Sequence, residues 1–464
     1  VGRRRLAGRE RDSRRLVRRA QGEGRRGLTE VSRFERLRCP RCGRVLLERG
    51  RALECRPCAA SFPILGGVPC LLDDPASAIG AWRADLARLG ALVRDGRDRL
   101  LAEAATAALP STRRRLEQLR EGQAEQLRQV EGLFAEVGLE PRPSATAPVG
   151  DGVLAYFHQI HRDWGWPPRE LEAAFAAVAA VVRAPLRATL VLGAGAARLT
   201  RELGVRLGAA PIVALDVNPL PFLVARKILD GATVELTELP SSPRTPDDAA
   251  VLRRLGEGLS PGVDVELVLA DALAPPVARG VFDTVVTPWF LDQIPPDLPR
   301  LASLIHELLG PGGRWLSHGP FVYPRERPMS ARYTEPELLE LVKCAGFELE
   351  ATDARRLAFM ESPACNQGRS EQVLTFVARR IESARIAEPP EPPWLADTSR
   401  PVPVEALARR GVDHPFFTAV TALVDGARSI DDITAVIAAT QAIPAEALRV
   451  AVRACLADLA RPAG

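Results

Sequence analysis

Apolar positions recur along this chain with different periods in different stretches. Between residues 80 and 139, Leu86, Leu89, Leu92 and Val93, then Leu116, Leu119, Leu127 and Val130, return at helical spacing between charges and predict helices. From about 150 to 380, short apolar strand-like runs alternate with helical stretches, the signature of an α/β domain with a mostly parallel sheet. Near the carboxyl end, Phe416, Phe417, Val420 and Leu423, then Ile433, Val436 and Ile437, then Leu448, Val452 and Leu456 give the apolar faces of three further helices. A glycine turn at Gly426 followed by Ser429 marks the N-cap of the second of them. Pro141, Pro143 and Pro148 punctuate one linker, and Glu388-Pro-Pro-Glu-Pro-Pro-Trp394 is a stiff second one.

These boundaries divide the chain into a disordered basic arm (1–33), a cysteine-bearing stretch (34–74), a helical segment and linker (80–149), the α/β domain (150–380), a proline-rich linker (381–401) and a small helical or winged-helix-like module (402–464). A length of 464 residues suits two or three domains. At 46% apolar and 26% charged residues, the composition is that of a globular protein. No apolar run reaches the roughly 18 residues a membrane span needs, and the longest candidate, Ala173 to Val182, stops at Arg183. No apolar segment follows the basic start, which argues against a secretory signal.

The formal charge of +4 hides an asymmetry, because arginines crowd residues 1 to 38 and leave the remainder mildly acidic. Such an arm can hold nucleic acid or anionic lipid by charge, but it has little to bury and reads first as a disordered tail. Together with Val1, it is also what an over-extended gene start would give.

Four of the eight cysteines form two tight pairs, Cys39-Pro-Arg-Cys42 and Cys55-Arg-Pro-Cys58, twelve residues apart. Two such turns supply the four soft ligands that Zn²⁺ takes in a tetrahedron, and four thiolates leave no open position, so the expected zinc is structural. This usage suits a reducing cytoplasm better than a disulfide scaffold. Cys70 has no partner nearby and reads as a small packed residue. The stretch from Arg38 to Leu72 resembles short bacterial zinc-ribbon proteins and the zinc-ribbon activator subunits of methyltransferases, which share its Cys-Pro-x-Cys start and Phe-Pro-Ile…Gly-Val-Pro ending.

In the α/β region, Thr189-Leu-Val-Leu-Gly193-Ala194-Gly195 is an apolar strand running into a glycine turn, where a ligand can approach bare backbone. A second strand ends at Asp216 and a third at Asp271-Ala272. An acid at the second position can accept hydrogen bonds from a ribose diol. Val281-Phe-Asp283 and a Pro311-Gly-Gly313 turn follow. This ordered set resembles the class I S-adenosylmethionine-dependent methyltransferases. The resemblance implies a Rossmann-like domain in which Asp216 holds the ribose of S-adenosylmethionine and Asp271 faces the adenine amine.

Several stretches are similar to one branch, the carnosine N-methyltransferase-like family. Gln159-Ile-His-Arg162-Asp163-Trp164 resembles its Gln-x-x-Arg-Asp-Trp, in which Gln and Arg contact the cofactor. Trp289-Phe-Leu-Asp292 resembles its Phe-Phe-Ile-Asp, and Trp315-Leu-Ser-His-Gly-Pro-Phe-Val-Tyr323 its Trp-Ile-Asn-x-Gly-Pro-Leu-Leu-Tyr. The match implies cofactor contacts from Gln159, Arg162, Gly193, Ala194, Gly195, Asp216, Asp271 and Ala272, with Asp292 and Tyr323 as catalytic candidates. Two departures stand out. Ala197 replaces the third glycine of the turn, and Pro324 replaces the His linked to carnosine binding, which implies a different acceptor. Trp164, Trp315 and His318 read as packing residues.

The expected activity is N-methylation of a small molecule or peptide. RNA methylation with the ribbon as the RNA grip, and a non-catalytic methyltransferase-like scaffold, are the alternatives. Thr287-Pro-Trp-Phe290 stands where base-amine methyltransferases carry Asn/Asp-Pro-Pro-Tyr/Phe, so nucleic acid is the second candidate partner. The carboxyl-terminal helices resemble the small winged-helix-like modules that recognise peptides in natural-product pathways or act as lids; a packing or dimerisation module is the other reading.

Overall fold

The structure is a computed structural model, and it describes residues 34–143, 152–259, 262–294, 298–325, 327–381, 393–404, 415–439 and 445–460. The basic arm and most of the second linker lie outside them. Four short strands open the chain: β1 (Leu47–Arg49), β2 (Ala52–Cys55), β3 (Ala60–Leu65) and β4 (Val68–Pro69), paired antiparallel in that order. Two long helices follow, α1 (Pro75–Thr106) and α2 (Pro110–Ala135). Asp74 caps the first, its carboxylate accepting from the Ser77 amide at 3.0 Å, with Pro75 at the position where a missing N–H costs nothing.

The main sheet is then laid down around α3 (Phe157–Trp164), α4 (Arg169–Val181), β5 (Arg187–Leu192), α5 (Arg198–Leu207), β6 (Ala209–Asp216) and α6 (Pro219–Leu229). A hairpin of β7 (Val234–Glu238) and β8 (Val251–Leu255) stands apart from the sheet, before β9 (Val265–Leu269). The sheet is completed by β10 (Phe282–Pro288), α7 (Leu298–Leu308), β11 (Leu309–Gly319), α8 (Glu335–Cys344), β12 (Phe347–Phe359) and β13 (Arg369–Arg380).

Its strand order is β12-β13-β11-β10-β5-β6-β9. Neighbours from β9 to β11 are parallel, and β13 alone runs against both of its neighbours. The domain is therefore α/β and Rossmann-like, with its last strand reversed and inserted between β11 and β12. The central strands are buried on both faces, which explains why β5 and β6 read as continuous apolar runs without alternation. The order reverses direction between β5 and β10, and a crevice opens at that switch point beyond the carboxyl ends of the strands.

The cysteine-bearing strands are not an independent bead. Phe34, Leu37, Leu53, Phe62 and Leu71 share one buried cluster with Leu190, Val213, Val268 and Trp315 of the main sheet. The Leu71 amide donates to the Leu269 carbonyl at 2.7 Å, and the Arg38 amide to Pro276 at 2.7 Å. This small sheet thus docks along β9 and the turn behind it. On the other flank, α2 clamps the hairpin. The Gln126 amide group donates to the Thr237 carbonyl, and Gln129 accepts from the Thr237 N–H.

The carboxyl-terminal helices α9 (Pro393–Ala396), α10 (Pro415–Ala422), α11 (Ile430–Ala438) and α12 (Ala445–Ala460) enclose a separate core of Val402, Val420, Ile430, Ile433, Leu448, Val452 and Leu456. Trp394 and Leu395 belong to this core, so the described end of the proline-rich stretch is part of the module rather than spacer. Ser429 caps α11 with a reciprocal bond pattern, its hydroxyl accepting from Asp432 N–H at 3.1 Å. No described helix is long and apolar enough to cross a membrane.

Candidate active site

The crevice is a cavity of about 650 Å³. Its floor is the turn after β5. Gly193 and Gly195 hold φ of +71° and +55°, which glycine adopts without a Cβ penalty. A Cβ on Gly195 would meet nothing, whereas one on Gly193 would collide with the Phe290 ring. Ala197, with φ of +60°, opens α5 in the same left-handed region and bears the strain a third glycine would avoid. The turn is held from outside by Trp164, whose indole N–H donates to the Ala196 carbonyl at 2.7 Å, so this buried tryptophan packs and positions.

At the end of β6, Asp216 is buried against the same turn. One carboxylate oxygen accepts from Gly195 N–H at 2.8 Å and the other from Asn218 N–H at 3.0 Å. Burial pushes its pKa above the ordinary carboxylate range, and those amide bonds pull it partly back. Asp271 and Ala272 follow β9 at the next opening, where Asp271 is exposed and folds back to accept from Leu273 N–H. Gln159 and Arg162 lie three apart on α3, hence on one face, and both line the cavity. Arg162 is paired with Asp163 at 2.7 Å and lies over the Trp289 and Phe359 rings at 5.4 and 5.2 Å.

The opposite end begins where β10 stops. Trp289 is forced to φ of +45°; its N–H donates to the His318 carbonyl, and its ring meets the His318 ring edge-on at 4.5 Å. Gly319 makes room, since a Cβ there would lie 3.0 Å from Trp289 Cα. This bend turns Asp292 inward. Asp292 is 3% exposed, lines the cavity, and accepts a long bond from Val322 N–H at 3.3 Å, while the Arg327 guanidinium donates to its backbone carbonyl. Burial raises its pKa, opposed by bonds from Gln293 and Val322 and reinforced by the charge of Glu371.

All eight expected cofactor residues and Asp292 therefore face one cavity. Tyr323 does not line it. Its ring sits beside Phe321 and under the Arg327 guanidinium at 4.8 Å, and burial pushes its hydroxyl up to about 12. His318 is fully buried, bonded through Nδ1 to Thr375, and burial holds it neutral with a pKa of about 3. Sequence reasoning missed Tyr156, Glu170, Phe359, Arg369 and Glu371, which also line the cavity. They come from the approach to α3, the first turn of α4 and the β12–β13 hairpin, where no motif marks them.

Away from the cavity, the thiols of Cys39, Cys42, Cys55 and Cys58 lie within 4.8 Å of one another. Cys42–Cys55 and Cys39–Cys58 are 3.5 and 3.9 Å apart. A tetrahedron of sulfurs at the usual zinc–thiolate distance has edges of about 3.8 Å, so the donor set fits a closed metal centre. Cys70 is buried, and burial raises its thiol to about 11, as befits a packing residue.

No family model matches the chain, and no curated protein matches it by sequence. Its fold is similar to that of solved methyltransferases at low scores. A phosphoethanolamine N-methyltransferase 2 of Haemonchus contortus is 14% identical over 52% of this chain and 62% of its own, with a TM-score of 0.34. An S-adenosylmethionine-dependent methyltransferase of Methanosarcina mazei is 16% identical over 44% and 96%, TM-score 0.31. A complex containing the Haloferax volcanii Trm112 methyltransferase activator matches at 14% identity over 55% and 98%, TM-score 0.33. Likenesses this weak carry no argument about function.

Proposed function

We propose that this chain is an S-adenosylmethionine-dependent methyltransferase that methylates a nitrogen of a small molecule or peptide, in the manner of the carnosine N-methyltransferase-like branch but on a different acceptor. The observation that carries this reading is the meeting, in one cavity, of the Asp216–Gly195 pair after the first two parallel strands and the buried Asp292 after the fourth. Asp216 is pre-set by two backbone amides with lone pairs left for a ribose diol, and the bare backbone of Gly195 leaves space for the donor. Gln159 and Arg162 would anchor its amino-acid end, and Asp271 with Ala272 its base.

S-adenosylmethionine supplies the methyl group on a sulfonium. The residues at the other end bring an acceptor nitrogen into line and keep water away, which accounts for much of the barrier reduction in such transfers. As the nitrogen lone pair forms the new carbon–nitrogen bond, the carbon–sulfur bond breaks and its electron pair stays on sulfur. The surplus proton on nitrogen passes to Asp292, whose raised pKa suits a base. Tyr323 keeps no part in this step. The four cysteines would hold zinc in a purely structural role, because no coordination position stays open.

Calorimetric titration with S-adenosylmethionine and S-adenosylhomocysteine tests the reading. We expect one saturable site per chain for each. An absence of binding by protein that is folded and metal-loaded would refute it.

A further inference from the structure

The charge of the cavity wall constrains what can be methylated there. Asp163, Glu170, Asp216, Asp271, Asp292 and Glu371 all line it, against only two basic residues, Arg162 and Arg369, among the described lining. With every group ionised, the wall carries an excess of four negative charges. The methyl donor, with a sulfonium, an ammonium and a carboxylate, brings one net positive charge, so the loaded cavity still favours a cation.

The carboxylates are not equivalent. Asp163 is neutralised by Arg162, and Glu170 is satisfied by the Met360 and Glu361 amides at 3.0 and 2.7 Å. Asp216 is tied to the glycine turn. What remains at the acceptor end is Asp292, bonded by Gln293 and by the long Val322 amide contact, and Glu371 on β13. Glu371 is 8% exposed; its Oε1 is held by Arg369 Nε at 2.6 Å, while Oε2 is buried with no hydrogen-bond partner among the described residues. The Arg369 guanidinium also lies over Phe359 at 4.8 Å. A buried carboxylate oxygen without a donor is costly, and a ligand N–H is the natural remedy.

We infer that the acceptor is a cation: besides the nitrogen methylated beside Asp292, it carries a second, protonated nitrogen that docks on Glu371 Oε2. This deepens the methyltransferase reading and rests on it. It also disfavours anionic acceptors such as nucleic acid, whose phosphates would meet this wall.

Three probes of equal length and one shared amine test the inference: 1,5-diaminopentane, 5-amino-1-pentanol and 5-aminopentanoate. They differ only in a distal ammonium, hydroxyl or carboxylate. Titrated into the full chain saturated with S-adenosylhomocysteine, the diamine should bind at least about tenfold more tightly than the amino alcohol, and the amino acid most weakly, since a charge-assisted bond to a buried group is worth about 1.5–3 kcal/mol. Glu371→Gln should cost the diamine about tenfold, leave the amino alcohol nearly unchanged and leave S-adenosylhomocysteine affinity intact. Equal binding of the three probes by the wild-type chain, tighter binding of the amino acid, or an unaltered order in a folded Glu371→Gln chain would overturn the inference. Failure of S-adenosylhomocysteine to bind would instead refute methyl transfer. The same three titrations without it would still decide the charge preference.

Discussion

The two ends of the cavity are built in opposite ways. The donor end is assembled from short contiguous stretches, each sitting where one parallel strand stops: Gly193–Gly195 after β5, Asp216 after β6, Asp271 and Ala272 after β9. The acceptor end gathers Asp292, Val322, Phe359, Arg369 and Glu371 from a strained bend, a loop and the two arms of an edge hairpin. A parallel α/β sheet makes the first kind of site by its topology alone. The second kind exists only because β13 returns antiparallel between β11 and β12. One end is therefore fixed by strand order, and the other by where the edge hairpin lies.

The largest expected break of this contrast comes from the metal centre. Cys39→Ser combined with Cys42→Ser should release about one equivalent of zinc and unfold β1 to β4, since binding energy at such sites is folding energy. The small sheet braces β9, so donor affinity should fall as well. Metal analysis and proteolysis of residues 34–74 would read this; no bound metal in the wild-type chain would sink the zinc assignment.

Asp292→Asn comes next. Turnover should drop by roughly 10²–10⁴-fold with S-adenosylhomocysteine affinity nearly unchanged. Because burial raises the Asp292 pKa, the acidic limb of the pH–rate profile should lie above the ordinary aspartate value of about 3.9 and vanish in the variant. A limb at or below that value would remove Asp292 as the base.

Asp216→Ala should act only at the other end, weakening the donor by about 10- to 100-fold, as lost hydrogen bonds to a charged group are each worth about 1.5–3 kcal/mol. Unaltered affinity in that variant would mean that the second strand does not hold the ribose.

The smallest effect is on stability. Ala197→Gly relieves left-handed strain of about 1–2 kcal/mol but loosens the unfolded chain, for a net gain of up to about 1 kcal/mol. A lower denaturant midpoint would show that the Ala197 methyl packs better than it strains.

Sequence legibility follows the same divide. The strand ends carrying the glycine turn, Asp216 and Asp271 could be read because each is a local pattern separated from the next by one helix. Ser429 could be read as a cap for the same reason. Asp292 was reachable through its short motif. Tyr323 shared a motif with the wall but not its direction, since the chain after Gly319 carries the ring away to Arg327. Glu371 was invisible, because its importance depends on which strand lies beside β11 and on an oxygen left unpaired by Arg369. The docking of the cysteine strands was equally hidden. Their apolar residues look like a private core and are in fact shared with the main sheet.

That docking also has a bearing on solubility. An open sheet ends in two raw edges that can recruit foreign strands. The outer edge, β12, is blunted by a bulge between Leu349 and Ala351 and by Glu350, Asp353, Arg355 and Arg356 along its length. The other, β9, is Val-Glu-Leu-Val-Leu, short, apolar and adhesive, and its guard is the backbone bond from Leu71. A fragment starting after residue 74, though it would retain every cavity residue named above, would bare that edge and tend to aggregate instead of turning over substrate.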